Sequence, residues 1–122
     1  MHPNTHVNKA QSTNDTIPSA THLAVASELD RIIEGVEVPG DVFAAKAEAF
    51  RHVVKLGRPC WQDALPHTLG EEFSGYAALM RRLAGKLRAV LPGCFEICMG
   101  GSAVGTGLGA DPGYMDALYR HL

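Results

Sequence analysis

The sequence predicts an all-α fold, a bundle of long helices, and three observations carry that expectation. Leu69, Phe73, Tyr76, Met80, Leu83, Leu87 and Val90 alternate steps of four and three without a break, which is a heptad seam. Two shorter apolar stripes precede it: Val25, Leu29, Ile32 and Val36, then Phe43, Ala47, Phe50 and Val54. Where the stripes stop, proline and glycine take over, at Pro39-Gly40, Gly57 and Pro92-Gly93.

In chain order, Pro18 opens the first helix, because proline suits the first helical turn, where its missing N–H costs nothing. Asp15 or Thr16 is placed to cap it. Gly35 is the expected stop and Val38-Pro39-Gly40 the expected turn. Asp41 then caps a second helix, with Lys46 and Glu48 off its stripe and facing water, and Gly57 ends it. Residues 58 to 68 lack periodicity and hold Pro59 and Pro66, so they read as an ordered loop. Trp61 is the expected apolar anchor of that loop. The third helix runs over 69–91, roughly 35 Å at 1.5 Å per residue. Two partner helices from the same chain cover only part of such a rod, which implies association with other subunits. Six glycines between 100 and 113 preclude regular structure over most of that stretch. Asp111-Pro112 marks the cap and first turn of a last helix.

Bulk composition narrows the function classes. The chain has 122 residues, 46% hydrophobic and 20% charged, as in ordinary globular proteins. A formal net charge of -2 gives no support to nucleic acid or an anionic membrane as partner. No apolar run approaches a spanning helix, and the N-terminus lacks the basic start and apolar core of a signal peptide. Three cysteines, an odd number, suit a reducing cytosol rather than a disulfide framework.

Chemistry concentrates in Gln11-Ser12-Thr13-Asn14-Asp15-Thr16-Ile17-Pro18, read with His2-Pro3-Asn4. Hydroxyls, a carboxamide and the free N–H groups of a helix start form a corner suited to a carboxylate or phosphate. The alternative is an elaborate capped turn. The pairs His2/His6 and Cys94/Cys98 have i,i+4 spacing, but neither assembles four metal ligands, so no metal and no cofactor is expected. The run from Gly100 to Gly109 lacks the Gly-Lys-Ser/Thr ending of a P-loop.

Three collinear stretches carry a family resemblance. His2-Pro3-Asn4-Thr5-His6-Val7-Asn8-Lys9 with Gln11-Ser12-Thr13-Asn14-Asp15 resembles the first signature of the aspartase/fumarase superfamily. Gly57-Arg58, Gln62-Asp63-Ala64 and Thr68-Leu69-Gly70-Glu71-Glu72-Phe73 resemble the second. Gly100-Gly101-Ser102-Ala103-Val104-Gly105-Thr106-Gly107-Leu108 resembles the glycine-rich turn downstream. The match runs essentially from end to end.

The resemblance implies a lyase acting on a small dicarboxylate: aspartate, fumarate or malate. Its reaction removes a proton next to a carboxylate and passes through a doubly charged aci-carboxylate. Ser12, Thr13 and Asn14 match the residues that hold that carboxylate. His2 and Asn4 match a neighbouring polar site, from which Thr5 departs because the family is often acidic there. The glycine-rich turn reads as a close backbone approach near the substrate pocket, where Thr106 is a further candidate contact. Pro59 and Cys60 stand where the family has Thr followed by His or Gln, so Cys60 takes the catalytic position as a thiol. It either lines the pocket as a weak hydrogen-bonding group or acts as a nucleophile with His67.

Ser12-Thr13-Asn14 and a non-histidine at 60 favour aspartate ammonia-lyase, and Gly100-Gly101 with Phe73-Ser74-Gly75-Tyr76 favours class II fumarase. The resemblance further implies a homotetramer with active sites built from several subunits, and the cysteine count places the protein in the cytoplasm. The resemblance divides the chain into an active-site loop at 1–17 and a partial central bundle at 18–122. The family's basic serine sits on a later Gly-Ser-Ser-x-Met-Pro-x-Lys-x-Asn loop that these residues do not contain, so the polypeptide alone is expected to be inactive. The reading from another class is a non-catalytic helical oligomerisation module.

Overall fold

A computed structural model describes all residues, 1–122. It is predominantly helical, with α1 at Thr13–Ala49, α2 at Leu69–Val90 and α3 at Tyr114–His121. Two three-residue strands, β1 (Val54–Leu56) and β2 (Pro66–Thr68), pair antiparallel with Lys55 opposite His67. The chain forms two compact units, residues 1–27 with 91–122, and residues 28–90.

The second unit is a helical hairpin with the short ribbon at its turn. Its α1 portion and α2 run antiparallel, shown by the Glu37–Arg88 ion pair at 2.7 Å and by Phe43 against Tyr76 and Phe73. Phe50 closes the aromatic cluster, 5.8 Å from Phe73 between ring centroids. The helices touch most closely at small residues: a Cβ added at Gly70 would lie 2.5 Å from the Ala47 carbonyl oxygen. At Gly40 it would lie 3.1 Å from the Met80 Cβ.

That close contact explains the largest departure from expectation. Gly35, Pro39 and Gly40 do not end a helix; α1 passes through all three as one element of 37 residues. Gly40 is buried against α2, so packing outweighs its poor helix propensity. Pro39 deprives the Gly35 carbonyl of its i+4 donor, but Gly35 is exposed and water can serve that oxygen. The inward seam of α1 is Leu29, Ile33, Val36, Gly40, Phe43, Ala47 and Phe50. Ile32 and Val25, expected inside, are 50% and 42% exposed.

The α2 seam is likewise rotated. Gly70, Ala77 and Ala84 are its buried positions, because only small side chains fit where the backbones approach. Tyr76, Leu83 and Val90 remain exposed. Thr68 and Glu71 form a reciprocal capping box at the α2 start, with the Thr68 N–H to Glu71 Oε2 at 2.8 Å and the Glu71 N–H to Thr68 Oγ1 at 3.1 Å. Val54, expected on a helical stripe, lies in β1, because α1 ends at Ala49 rather than Gly57. Trp61 anchors nothing within the chain and is 97% exposed.

The first unit holds the α1 start, the glycine-rich turn and α3. Pro92-Gly93 ends α2 as expected, tightening the chain into a 3-10 turn at Leu91–Phe95. No helix or strand occurs between 96 and 113. Asp111 does not cap α3 directly. Its Oδ1 accepts the Gly113 N–H at 2.9 Å, and Gly113 is the N-cap. No helix is long and apolar enough to cross a membrane.

Candidate functional site

The corner expected at residues 11–18 starts with Ser12. Its Oγ accepts the Asn14 N–H at 3.1 Å, and its own N–H donates to Asp15 Oδ2 at 3.1 Å. This Ser-x-x-Asp capping box starts α1 at Thr13, five residues before the expected proline, and replaces Asp15 or Thr16 as the cap. Asp15 is buried at 6% exposure. A carboxylate therefore already faces the helix dipole, so any anion at this corner would have to be held mainly by hydroxyl and amide donors. Thr13 and Asn14 are exposed on this first turn. Ser12 keeps its hydroxyl proton available, because Oγ accepts from the Asn14 N–H.

The glycine-rich turn meets this corner within the same unit. Gln11 Oε1 accepts the Gly100 N–H at 3.0 Å, and a Cβ at Gly101 would stand 3.4 Å from Asp15 Oδ1. Gly100 has φ of 94°, and a side chain there would overlap the Met115 sulfur. These two constraints explain why glycine occupies position 100. A 410 Å³ cleft is lined by Gln11, Ser12, Ser102 and Leu108 among others. Ser102 has φ of 57° and a buried Oγ without a hydrogen-bond partner. Thr106 is exposed on the same turn but does not line the cleft. Tyr114 borders a neighbouring cleft with His6 and Lys9. Burial, then the Asp15 charge, pushes its phenol above the usual range.

His2 precedes a π-helical turn at Pro3–Val7. Its Nδ1 accepts the N–H groups of Asn4 at 3.2 Å and Thr5 at 3.1 Å, with Thr5 Oγ1 also at 3.1 Å. Two backbone donors on Nδ1 select the tautomer protonated at Nε2, which leaves that N–H for a ligand. His6 Nδ1 is likewise occupied, by the His2 N–H at 2.9 Å. Asn4 is exposed. Thr5, the departure from the family pattern, thus completes the seat of the imidazole.

Cys60 belongs to the other unit. It lies on a 3-10 turn, Pro59–Trp61, with φ of 52°, and is exposed. The β1–β2 ribbon borders an open 630 Å³ groove lined by Lys55, Gly57, Arg58, His67 and Glu72, and Cys60 is not among its walls. Glu72 bonds both Lys55 Nζ and the Tyr76 hydroxyl. The Lys55 hydrogen bond, then that from Tyr76, holds its carboxyl below the usual range. Accepting that phenol proton raises Tyr76 in turn.

Residue-by-residue reading overlooked Gln11 as a link to the turn, Ser12 as the cap, and Ser19 and Cys98 beneath the corner. The Ser-x-x-Asp spacing was a readable signal for the cap. Nothing in the sequence signals that residue 98 lies beside residue 14.

Comparison with known proteins identifies the family. The family described as Lyase matches residues 1–122. The class II fumarate hydratase of Neisseria meningitidis is 48% identical over 117 residues, covering 95% of this chain and 25% of that protein. An aspartate ammonia-lyase of a Bacillus species is 45% identical over 120 residues, covering 98% of this chain and 26% of that one. The crystal structure of a class II fumarase from Schistosoma mansoni superposes with a TM-score of 0.79 at 34% identity, over 99% of this chain and 28% of its own. The chain spans about a quarter of the length of the curated relatives it matches. The chain belongs to the lyase family, within the aspartase/fumarase superfamily.

Proposed function

We propose that this chain is the substrate-binding segment of an ammonia-lyase that converts aspartate to fumarate. The observation that carries this reading is the Ser12-Thr13-Asn14 turn, whose side-chain donors stand at the capped start of α1 while Gln11 ties the glycine-rich turn beside it. Abstraction of a proton next to a carboxylate drives negative charge onto the carboxylate oxygens. Two hydroxyls and a carboxamide stabilise that charge without the tight ground-state ion pair an arginine would form. His2 Nε2–H and Asn4 serve a second polar subsite in this reading. Residues 1–17 carry the substrate-facing groups and 18–122 the scaffold.

Proton abstraction itself falls to a serine on the superfamily's later loop, outside these residues. Cys60 stands outside the ribbon groove of this chain, and in the complete enzyme it serves the substrate pocket as a weak hydrogen-bonding group rather than as a nucleophile, in keeping with its lack of a hydrogen bond to His67. The exposed apolar edge of α2, Tyr76, Leu79, Leu83 and Val90, supports self-association as a homotetramer. The cytoplasm is the proposed compartment.

Class II fumarase is the second reading, favoured by the 48% identity to a fumarate hydratase against 45% to the ammonia-lyase. Grafting the chain in place of the matching quarter of each relative, and assaying with aspartate and malate, separates the two. Asn14→Ala in the active graft is expected to lower kcat and kcat/KM together by roughly 10²–10³. If the corner were only a capped turn, the variant would melt earlier yet keep its kcat per folded site.

A further inference from the structure

Pro18 leaves the α1 ladder one donor short, and a residue distant in sequence fills the gap. In an unbroken helix the N–H of residue 18 would bond the carbonyl of Asn14, but proline has none. Cys98 Sγ instead lies 3.3 Å from the Asn14 oxygen and 3.8 Å from that of Asp15. The thiol is itself held in place. The Cys98 N–H donates to Ser19 Oγ at 3.1 Å, and the Ser19 hydroxyl donates to the Asp15 oxygen at 2.6 Å. Ser19 is buried, at 3% exposure. One segment of the chain is thus bolted to the first turn of α1 at the two carbonyls behind Ser12, Thr13 and Asn14.

We infer that Cys98, seated by Ser19, is a positioning residue for the substrate-binding corner. The inference rests on the binding role proposed above for Ser12-Thr13-Asn14. An unpartnered carbonyl at Asn14 would tilt toward water and turn its peptide, and with it the carboxamide that must meet the developing charge. Donors stabilise a transition state only while held where that charge appears, and a misplacement of about 1 Å costs on the order of 10²-fold. Residue 98 is exposed, so water competes for the same carbonyl, and a thiol is a weak donor. The expected effect is therefore about tenfold rather than the full loss.

The test uses a complete enzyme, the Neisseria fumarate hydratase carrying residues 1–56 and 69–122 of this chain. The host keeps its own loop in place of 57–68, so Cys60 does not enter. Cys98→Ala is expected to lower kcat and kcat/KM about tenfold at saturating and limiting malate respectively. Cys98→Ser is expected to stay within about twofold of the parent graft, because its hydroxyl donates to the same carbonyl. Unchanged kcat and KM in Cys98→Ala, or no rescue by serine, overturns the inference. Asn14→Ala separates the two readings. If it is severely impaired while Cys98→Ala is not, only the positioning role fails. If it retains full turnover, the binding role has failed and the positioning role with it. Should Cys98→Ala not fold, the S–H infrared stretch of the parent graft, assigned by its disappearance in Cys98→Ser, decides. A band shifted down from a free thiol is expected, and an unshifted one overturns the inference.

Discussion

At the corner the cost of a lost helix cap and the cost of the proposed substrate contact separate. Ser12 caps α1 by accepting the Asn14 N–H, which leaves its hydroxyl proton free to donate. Ser12→Ala is therefore expected to lose about 0.5–2 kcal/mol of stability from the cap alone, together with a fall in turnover that thermal melting cannot explain. Cys60 is expected to behave differently, because it is exposed and no wall of the ribbon groove includes it. In a complete enzyme, Cys60→Ser should reduce turnover modestly. Abolished turnover with a trapped covalent thiol adduct would restore the nucleophile reading. Glu72 makes stability depend on pH. The Lys55 hydrogen bond, then Tyr76, holds its carboxyl below the usual 4.5. Its contribution to stability is therefore fully present above that value and is lost as pH falls through the lowered one. The melting-temperature gap between the parent protein and Glu72→Gln should close on acidification, and a gap independent of pH would contradict this.

Between elements, glycines decide how closely α1 and α2 approach. Gly70 has no room for a side chain, because a Cβ there would meet Arg51 backbone atoms at 2.7 and 2.8 Å as well as the Ala47 oxygen. Gly70→Ala is expected to force the helices apart and destabilise by about 1–3 kcal/mol, as overpacking does. Gly35 sits in the interior of α1 with nothing within 4 Å of an added Cβ. Gly35→Ala should therefore stabilise, by roughly 0.5–1 kcal/mol. Chemical denaturation of the two variants side by side checks both signs. Heptad counting alone cannot distinguish these glycines, because neither position belongs to the apolar pattern.

For the molecule as a whole, the exposed apolar residues of α2 support the proposed self-association. Leu79 and Leu83 are each 38% exposed and Val90 is 54% exposed, while Ile32, Val38 and Val42 on α1 are about as open or more so. Burying such side chains is worth about 1.5–3 kcal/mol each when complete, which gives association a substantial driving force. Sedimentation at micromolar concentration should therefore find oligomers. Leu79→Asp combined with Leu83→Asp should shift them toward monomer, since buried unpaired charges are costly. A stable, well-folded monomer of the unsubstituted chain would contradict the homotetramer reading.

The amino-acid order alone is enough for the helical class, the run of the third helix, the irregular glycine-rich stretch and the family signatures. Each depends on local periodicity, on proline and glycine chemistry, or on a motif read in order. It did not determine where α1 begins and ends. Pro18, Gly35 and Pro39 all carry local signals to start or stop a helix, and packing of Gly40 against Met80 outweighs the latter two. Nor did periodicity select the seam. Ile33 rather than Ile32 is buried, and Ala77 rather than Tyr76, because the inward face is set by how closely two backbones can approach. The corner's residues were legible as a list, but its construction was not. Hydrogen bonds from Gly100 to Gln11 and from Cys98 to Asn14 join positions 89 and 84 residues apart, and only tertiary structure brings them together.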